Sequence, residues 1–250
     1  MMPFFNGVTI RYEAGETPQE PTGDALWAWL DAADLTTITA ESGRVTDWAD
    51  KSGNGHYAYQ VSGSAARPYT GLSTVNGLNV ICFAGAQRLA FPASAFPNAN
   101  GNNSILAVVK QDAGNTDTWI ISGRNTSSIS AYSLLANSVA QGGSVVAAWH
   151  NNTNLASEVV LGTPDDLPHI VGFVRDGANI KAVYDDALSA GRAAENVALS
   201  NNLYIGCRFS AAPYSAYFSG EIAEILIYDK ALTASELTHN TSYLQSKWEL

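Results

Sequence analysis

The sequence predicts an all-β protein, a sandwich of two antiparallel sheets closed by one short C-terminal helix. Three observations lead there. About a dozen short apolar runs alternate with clusters of Gly, Ser, Asn and Thr, as strands joined by turns require. Asp176-Gly177 separates two such runs, Ile170–Arg175 and Asn179–Tyr184, and that dipeptide suits the left-handed dihedrals of a two-residue hairpin. Near the end the hydrophobic period changes. Glu221–Tyr228 is rich in β-favouring residues, whereas Leu237, Leu244 and Trp248 recur at helical spacing.

Size and charge narrow the field. With 250 residues, 46% of them hydrophobic and only 14% charged, the chain can fill a large core and is too apolar to stay disordered. Its formal net charge of −10 and the lack of a basic run argue against nucleic acid or an anionic membrane as partner. No stretch nears the ~18 apolar residues of a membrane span. The opening MMPFFNGVTIRYEAGE lacks the basic and apolar regions of a secretory signal. Residues 1–22 differ in character from the rest of the chain, with a turn signal at Asn6-Gly7 and linker-like Pro18 and Pro21. They read either as a loose leader or as an arm that anchors on another subunit. Residues 23–250 read as one domain, without repeat or second linker.

Along that domain, Leu26–Leu30 is the first strand and Thr36–Thr39 a short extended piece. Asp50-Lys51-Ser52-Gly53-Asn54-Gly55 is a tight turn, with His56 beside it as a turn-side residue. Leu78–Phe83 and Arg88–Phe91 suggest a hairpin across Gly85. Ser104–Val109, Thr118–Ser122, Tyr132–Leu135, Ser144–Trp149 and Leu203–Cys207 extend the series. Cys82 and Cys207 lie within such runs and read as small buried hydrophobes. Simple alternation in the last strand puts Ala223, Ile225 and Ile227 on one face and Ile222, Leu226 and Tyr228 on the other. A strand apolar on both faces is covered on both, so it is central. Thr233 and Glu236 then form a capping box for a helix over residues 234–247.

The closing stretch resembles that of laminin-G-like, concanavalin A-like domains. The residues carrying the likeness are Phe218, Gly220, Ile222 and Glu224, followed by Tyr228, Asp229, Leu232, Thr233 and Glu236. The opening, LWAWLDAADLTTIT with the DKSGNG turn, is similar to the first segment of the same family. The resemblance implies a jelly-roll sandwich. It leaves activity open, since such domains include lectins, glycan-binding modules, glycosidases and structural domains.

A glycosidase of this fold needs two carboxylates ~5–5.5 Å apart. Glu221 and Glu224 are the nearest pair, and their odd spacing sends them to opposite faces of an unbroken strand. Asp165-Asp166 and Asp185-Asp186 are adjacent and sit in turns. His56, His150, His169 and His239 lack metal-ligand spacing, and no G-x-S-x-G elbow is present. The expectation is a non-catalytic protein. Glu224 itself reads as a core acid bonded to turn amides rather than as a ligand-facing group. For sugar binding, loop aromatics stack and polar side chains meet hydroxyls. Trp149, His150, Asn151 and Asn152 form one candidate set, with strand-end core an equal reading of Trp149. Tyr214 and Tyr217 form the other. Some members of the family hold calcium at the sheet rim, for which Asp112 and Asp117 are the weak candidates here, without an oxygen-ligand motif.

The opening motif is also similar to that of domains in tailed-phage structural proteins. A display fold without an export signal then suggests a virion component, a capsid decoration or tail-associated protein made in the host cytoplasm. Residues 1–22 would dock it on other virion proteins or a further copy, and the sandwich would meet surface glycans. The alternative is an extracellular carbohydrate-binding module, and the third reading a glycosidase.

Overall fold

The structure, a computed structural model, describes residues 20–60, 63–92, 101–112, 118–124, 131–138, 144–150, 159–162, 165–194, 202–208 and 214–250. Among these the strands follow in chain order: β1 (Leu26–Asp31), β2 (Ile38–Glu41), β3 (Arg44–Ala49), β4 (Tyr57–Tyr59), β5 (Tyr69–Val75), β6 (Leu78–Ala84), β7 (Leu89–Phe91), β8 (Asn102–Gln111), β9 (Thr118–Arg124), β10 (Ala131–Ser138), β11 (Ser144–His150), β12 (Val159–Gly162), β13 (Pro168–Asp176), β14 (Asn179–Tyr184), β15 (Ala187–Leu188), β16 (Arg192–Ala193), β17 (Leu203–Ile205) and β18 (Ser219–Tyr228). Helix α1 (Ala234–Trp248) closes the series.

The antiparallel pairings sort these strands into two layers. In the first, β18 is central. One edge pairs with β8, which leads on to β13 and β14; the other pairs with β6 and then β1. The second layer runs β2, β3, β4, β7, β17, β9, β10, β11, β12. Between the layers lies the main core, with Ile105, Phe173, Ile225 and Ile227 meeting Trp48, Leu89, Phe91 and Ile205. The outer face of the first layer is apolar too, and α1 covers it with Leu237, Tyr243, Leu244 and Trp248. The sandwich expected from the sequence is therefore present, with the helix as a third layer.

The helix boundary follows its capping chemistry. Glu236 N–H donates to the Thr233 hydroxyl at 3.3 Å, and the Glu236 carboxylate accepts from Thr233 N–H at 2.9 Å. Asn240, wholly buried on α1, accepts from the Tyr228 hydroxyl at 2.9 Å and from Thr22 N–H at 3.1 Å. His239 contacts the Glu20 carbonyl at 2.9 Å. The chain thus enters the domain strapped to its last helix.

Three local expectations change. The runs at Leu78–Phe83 and Arg88–Phe91 do not pair as a hairpin. They lie in opposite layers, where Ile81 and Phe83 meet Leu89 and Phe91 across the core. The link crosses between sheets, and the Gln87 side chain holds it by accepting from Ala84 N–H at 2.7 Å. Leu35–Thr37 forms a 3₁₀ turn, because Asp34 accepts from Thr36 N–H at its start, and the strand begins only at Ile38. In β18 a bulge intervenes: Ile222 pairs with Val109 but Glu224 with Val108, leaving Ala223 extra. Ile222 therefore joins Ile225 and Ile227 in the inter-sheet core, while Ala223 joins Leu226 and Tyr228 beneath α1.

Candidate functional site

The bulge also carries Glu221 and Glu224 to the same face, since their partners Lys110 and Val108 are two residues apart on β8. Shared face does not make them a pair. Glu224 is wholly buried beneath α1, where Trp29 Nε1 donates to it at 2.5 Å, Trp248 Nε1 at 2.7 Å, Tyr243 Oη at 2.8 Å and Lys247 Nζ at 2.8 Å. It is a core acid, as expected, but its donors are side chains of β1 and α1 rather than turn amides. Burial pushes its carboxyl above the usual range, and the Lys247 ammonium pulls it back only in part.

The opening motif is the other half of this arrangement. Lys247 also contacts Asp31 at 2.7 Å, and Asp31 takes Lys51 at 2.9 Å. Lys51 lies 4.3 Å from the Trp29 ring centre. Asp50 accepts from Trp29 N–H at 2.7 Å, and Asn54 donates to the Leu26 carbonyl at 2.8 Å. The DKSGNG turn is thus a clasp on β1, and both family motifs serve to join β1, β18 and α1.

A half-buried aromatic cluster lies on the opposite side of the sandwich, on the outer face of the second layer. There Ala90, Tyr204 and Cys207 are buried, with Tyr59, Tyr214 and Tyr217 packed over them. The guanidinium of Arg88 sits 3.8 Å from the centre of the Tyr214 ring, and its Nη1 donates to the Tyr217 hydroxyl at 3.3 Å. Tyr214 meets Tyr204 edge-on at 5.2 Å, and Asn202 Nδ2 donates to the Tyr59 hydroxyl at 2.7 Å. Burial pushes the Tyr204 hydroxyl well above its ordinary range, raises that of Tyr217, and takes the Cys207 thiol up to about 12. These groups stay neutral at physiological pH. The result is an aromatic surface with hydrogen-bonding tips and one cation stacked on a ring, the composition that holds hydroxyl-rich ligands.

Of the expected sugar-binding residues, Tyr214 and Tyr217 are brought together here. Trp149 and His150 end β11, where Trp149 lies in register with Tyr132 and, through it, with Gly123 and Leu203. Asn151 and Asn152 fall outside the described residues, as does Asp117. Asp112 is exposed, and its carboxylate accepts from the Ser219 hydroxyl at 2.6 Å. Among the described residues no group of three or more His, Cys, Asp or Glu could hold a metal. Tyr59, Arg88, Asn202 and Tyr204 were not legible as site residues. Each is a single polar or aromatic residue in its own short run, and only cross-strand pairing assembles them.

The histidines have separate roles. His56 stacks on Trp27 with ring centres 3.9 Å apart, which fits the expected turn-side residue. His169 is clamped between Asp165 and Asp185, each at 2.9 Å. Burial lowers its pKa, but the two carboxylates together outweigh burial and raise it above the ordinary 6.5. The stability this clamp contributes is therefore complete below pH 6.5 and lost as pH rises through the raised folded value. Because the site is largely solvent-screened, the gain is at most ~1 kcal/mol. Comparing denaturation midpoints of the wild type and His169→Gln between pH 6 and 9 should show that advantage shrinking with pH. An NMR titration should place the imidazole above 6.5.

Comparison with known proteins identifies the fold family. Residues 83–238 match the family model Laminin_G_3, described as the concanavalin A-like lectin/glucanases superfamily. No curated protein sequence matches the chain. Among solved structures, domain 4 of AbnA, a GH43 extracellular arabinanase from Geobacillus stearothermophilus in complex with arabinotriose, superposes with a TM-score of 0.62. The match has 13% identity and covers 87% of this chain and 98% of that one. The Trypanosoma rangeli sialidase in complex with sialic acid gives a TM-score of 0.58 at 15% identity, over 96% of this chain but only 36% of the sialidase. The receptor-binding domain of botulinum neurotoxin type G gives 0.57 at 12%, over 88% and 52%. At these identities the likeness is one of fold. The family match spans more than half of the chain and includes the central strand β18 with the start of α1, so the chain belongs to the concanavalin A-like lectin/glucanase superfamily.

Proposed function

We propose that this domain is a non-catalytic carbohydrate-binding module whose ligand lies on the outer face of the second layer. The observation that carries the reading is the aromatic surface of Tyr59, Tyr214 and Tyr217 around Arg88, opposite the helix-covered side. Stacking faces and fixed hydroxyls on a rigid sheet are what a sugar needs, while Glu224 is occupied in holding α1. A glycan array with and without calcium tests the reading. A defined set of glycans should bind, and Tyr214→Ala should weaken the best of them about tenfold or more. An array that is blank in both conditions would remove the proposal.

A virion component is a second reading, and one observation favours it. Glu20 and Thr22, where an arm of residues 1–19 would join the domain, are fastened to α1 on the side away from the aromatic face. Such an arm would dock the domain on a particle and leave the sugar-binding side outward. Removing residues 1–19, which spares those contacts, should abolish particle decoration or self-association while leaving glycan binding intact. A truncated chain that still decorates particles would sink the docking arm.

A further inference from the structure

Strand register in the second layer sets one residue of each strand in a row across its outer face. Asp47 of β3 lies opposite Tyr59 of β4, Tyr59 opposite Ala90 of β7, Ala90 opposite Tyr204 of β17, and Tyr204 opposite Ser122 of β9. Neighbouring strands are about 4.8 Å apart, so the row runs roughly 19 Å. Its centre is the small, wholly buried Ala90, over which Tyr59, Tyr214 and Tyr217 pack. At the Asp47 end the rings of Tyr57 and Tyr59 lie 5.8 Å apart, and Tyr57 is 47% exposed.

Asp47 differs from the other aspartates that are at least half-buried. Asp31 and Asp34 accept from Lys51, Asp50 from Trp29 N–H, and Asp185 from Ile170 N–H. Each has a donor within the fold. Asp47 is half-buried on the same outer face as Tyr59, and among the described residues no donor or cation reaches its carboxylate. The acceptor sites of this carboxylate are therefore not taken by the fold, and a bound molecule with hydroxyls can meet them.

We infer that Asp47 is a specificity-determining residue of the glycan face, and that the ligand is a neutral oligosaccharide lying across the strands. The inference rests on the glycan-binding reading and extends it to a ligand class. A carboxylate only accepts, so it takes neighbouring hydroxyls of one sugar through short charge-assisted bonds. The ring of that sugar rests against Tyr57 and Tyr59, and the chain continues across the tyrosines that cover Ala90, toward Tyr214. A sugar bearing its own carboxylate is repelled at this end.

The test is calorimetric titration of the full chain with neutral oligosaccharides (arabinotriose, cellotetraose, mannotetraose) and acidic ones (tetragalacturonate, sialyllactose). Asp47→Ala and Asp47→Asn should both fold, as neither removes a hydrogen bond or ion pair among the described residues. The wild type should prefer a neutral ligand, Asp47→Ala should weaken it about tenfold or more, and Asp47→Asn should narrow the gap between neutral and acidic ligands. Neutral binding that Asp47→Ala leaves within twofold, or a wild-type preference for acidic ligands, overturns the inference and leaves glycan binding standing. No binding to either class overturns both.

Discussion

Replacing Glu224 by alanine should cost the domain about 3–5 kcal/mol, a large share of the ~5–15 kcal/mol typical of a folded domain. The carboxylate gathers donors from Trp29, Tyr243, Lys247 and Trp248 in a site closed to water. Alanine strands two indole N–H groups and the Tyr243 O–H at once, leaves Lys247 with Asp31 as its remaining carboxylate, and opens a void beneath α1. Glu224→Gln should be intermediate. Its single oxygen serves donors such as Trp29 and Tyr243, which meet Oε1, but its amide N–H₂ then faces the Trp248 indole and Lys247. Lys247 keeps Asp31, but the Trp248 indole N–H and the new amide N–H₂ are buried donors without acceptors, at ~1–3 kcal/mol each. Urea denaturation followed by tryptophan fluorescence reads both variants. An alanine variant within 1 kcal/mol of wild type would mean that Glu224 does not organise the helix.

Gly220→Ala should be comparably severe, at about 3 kcal/mol or more, for a different reason. Gly220 adopts φ of +139°, a region nearly closed to residues with a side chain. A Cβ there would also overlap the Lys110 carbonyl oxygen and come within 2.9 Å of Gln111 Cα, both backbone atoms of the paired strand β8. Neither can move without breaking the central pairing of the first layer. Gly172→Ala separates the two causes. It meets the Ile105 backbone and a Leu106 methyl, but no positive φ is involved. Denaturant midpoints for both should show Gly220→Ala as the more destabilising.

These effects explain why the family motifs were visible before their purpose was. Phe218, Gly220, Ile222 and Glu224 form a contiguous string, and so do the residues of the DKSGNG turn. Contiguity is what one strand or one turn needs. What each serves is a contact across some 195 residues, as between Trp29 and Glu224, and nothing local encodes that partner. The bulge at Ala223 was hidden for the same reason. A strand with apolar residues at nearly every position reads equally well in either register, and only the pairing with β8 places the extra residue. Likewise, Leu78–Phe83 and Arg88–Phe91 looked like a hairpin because a short link joins them. Both strands face the inter-sheet core from opposite layers, which a run of alternating residues cannot distinguish.

From its residues alone the chain declared an all-β sandwich, the hairpin at Asp176-Gly177, the capping box at Thr233 and Glu236, and the family. Each rests on dihedral preference, hydrophobic period or a contiguous motif, which are properties of neighbours in sequence. The aromatic face belongs to the other kind of information. Tyr214 and Tyr217 were candidates, but Asp47, Tyr59, Arg88 and Tyr204 join them only through pairings among β3, β4, β7 and β17. A sheet surface is assembled at right angles to the chain, one residue per strand, so its chemistry exists only once the strands have chosen their partners.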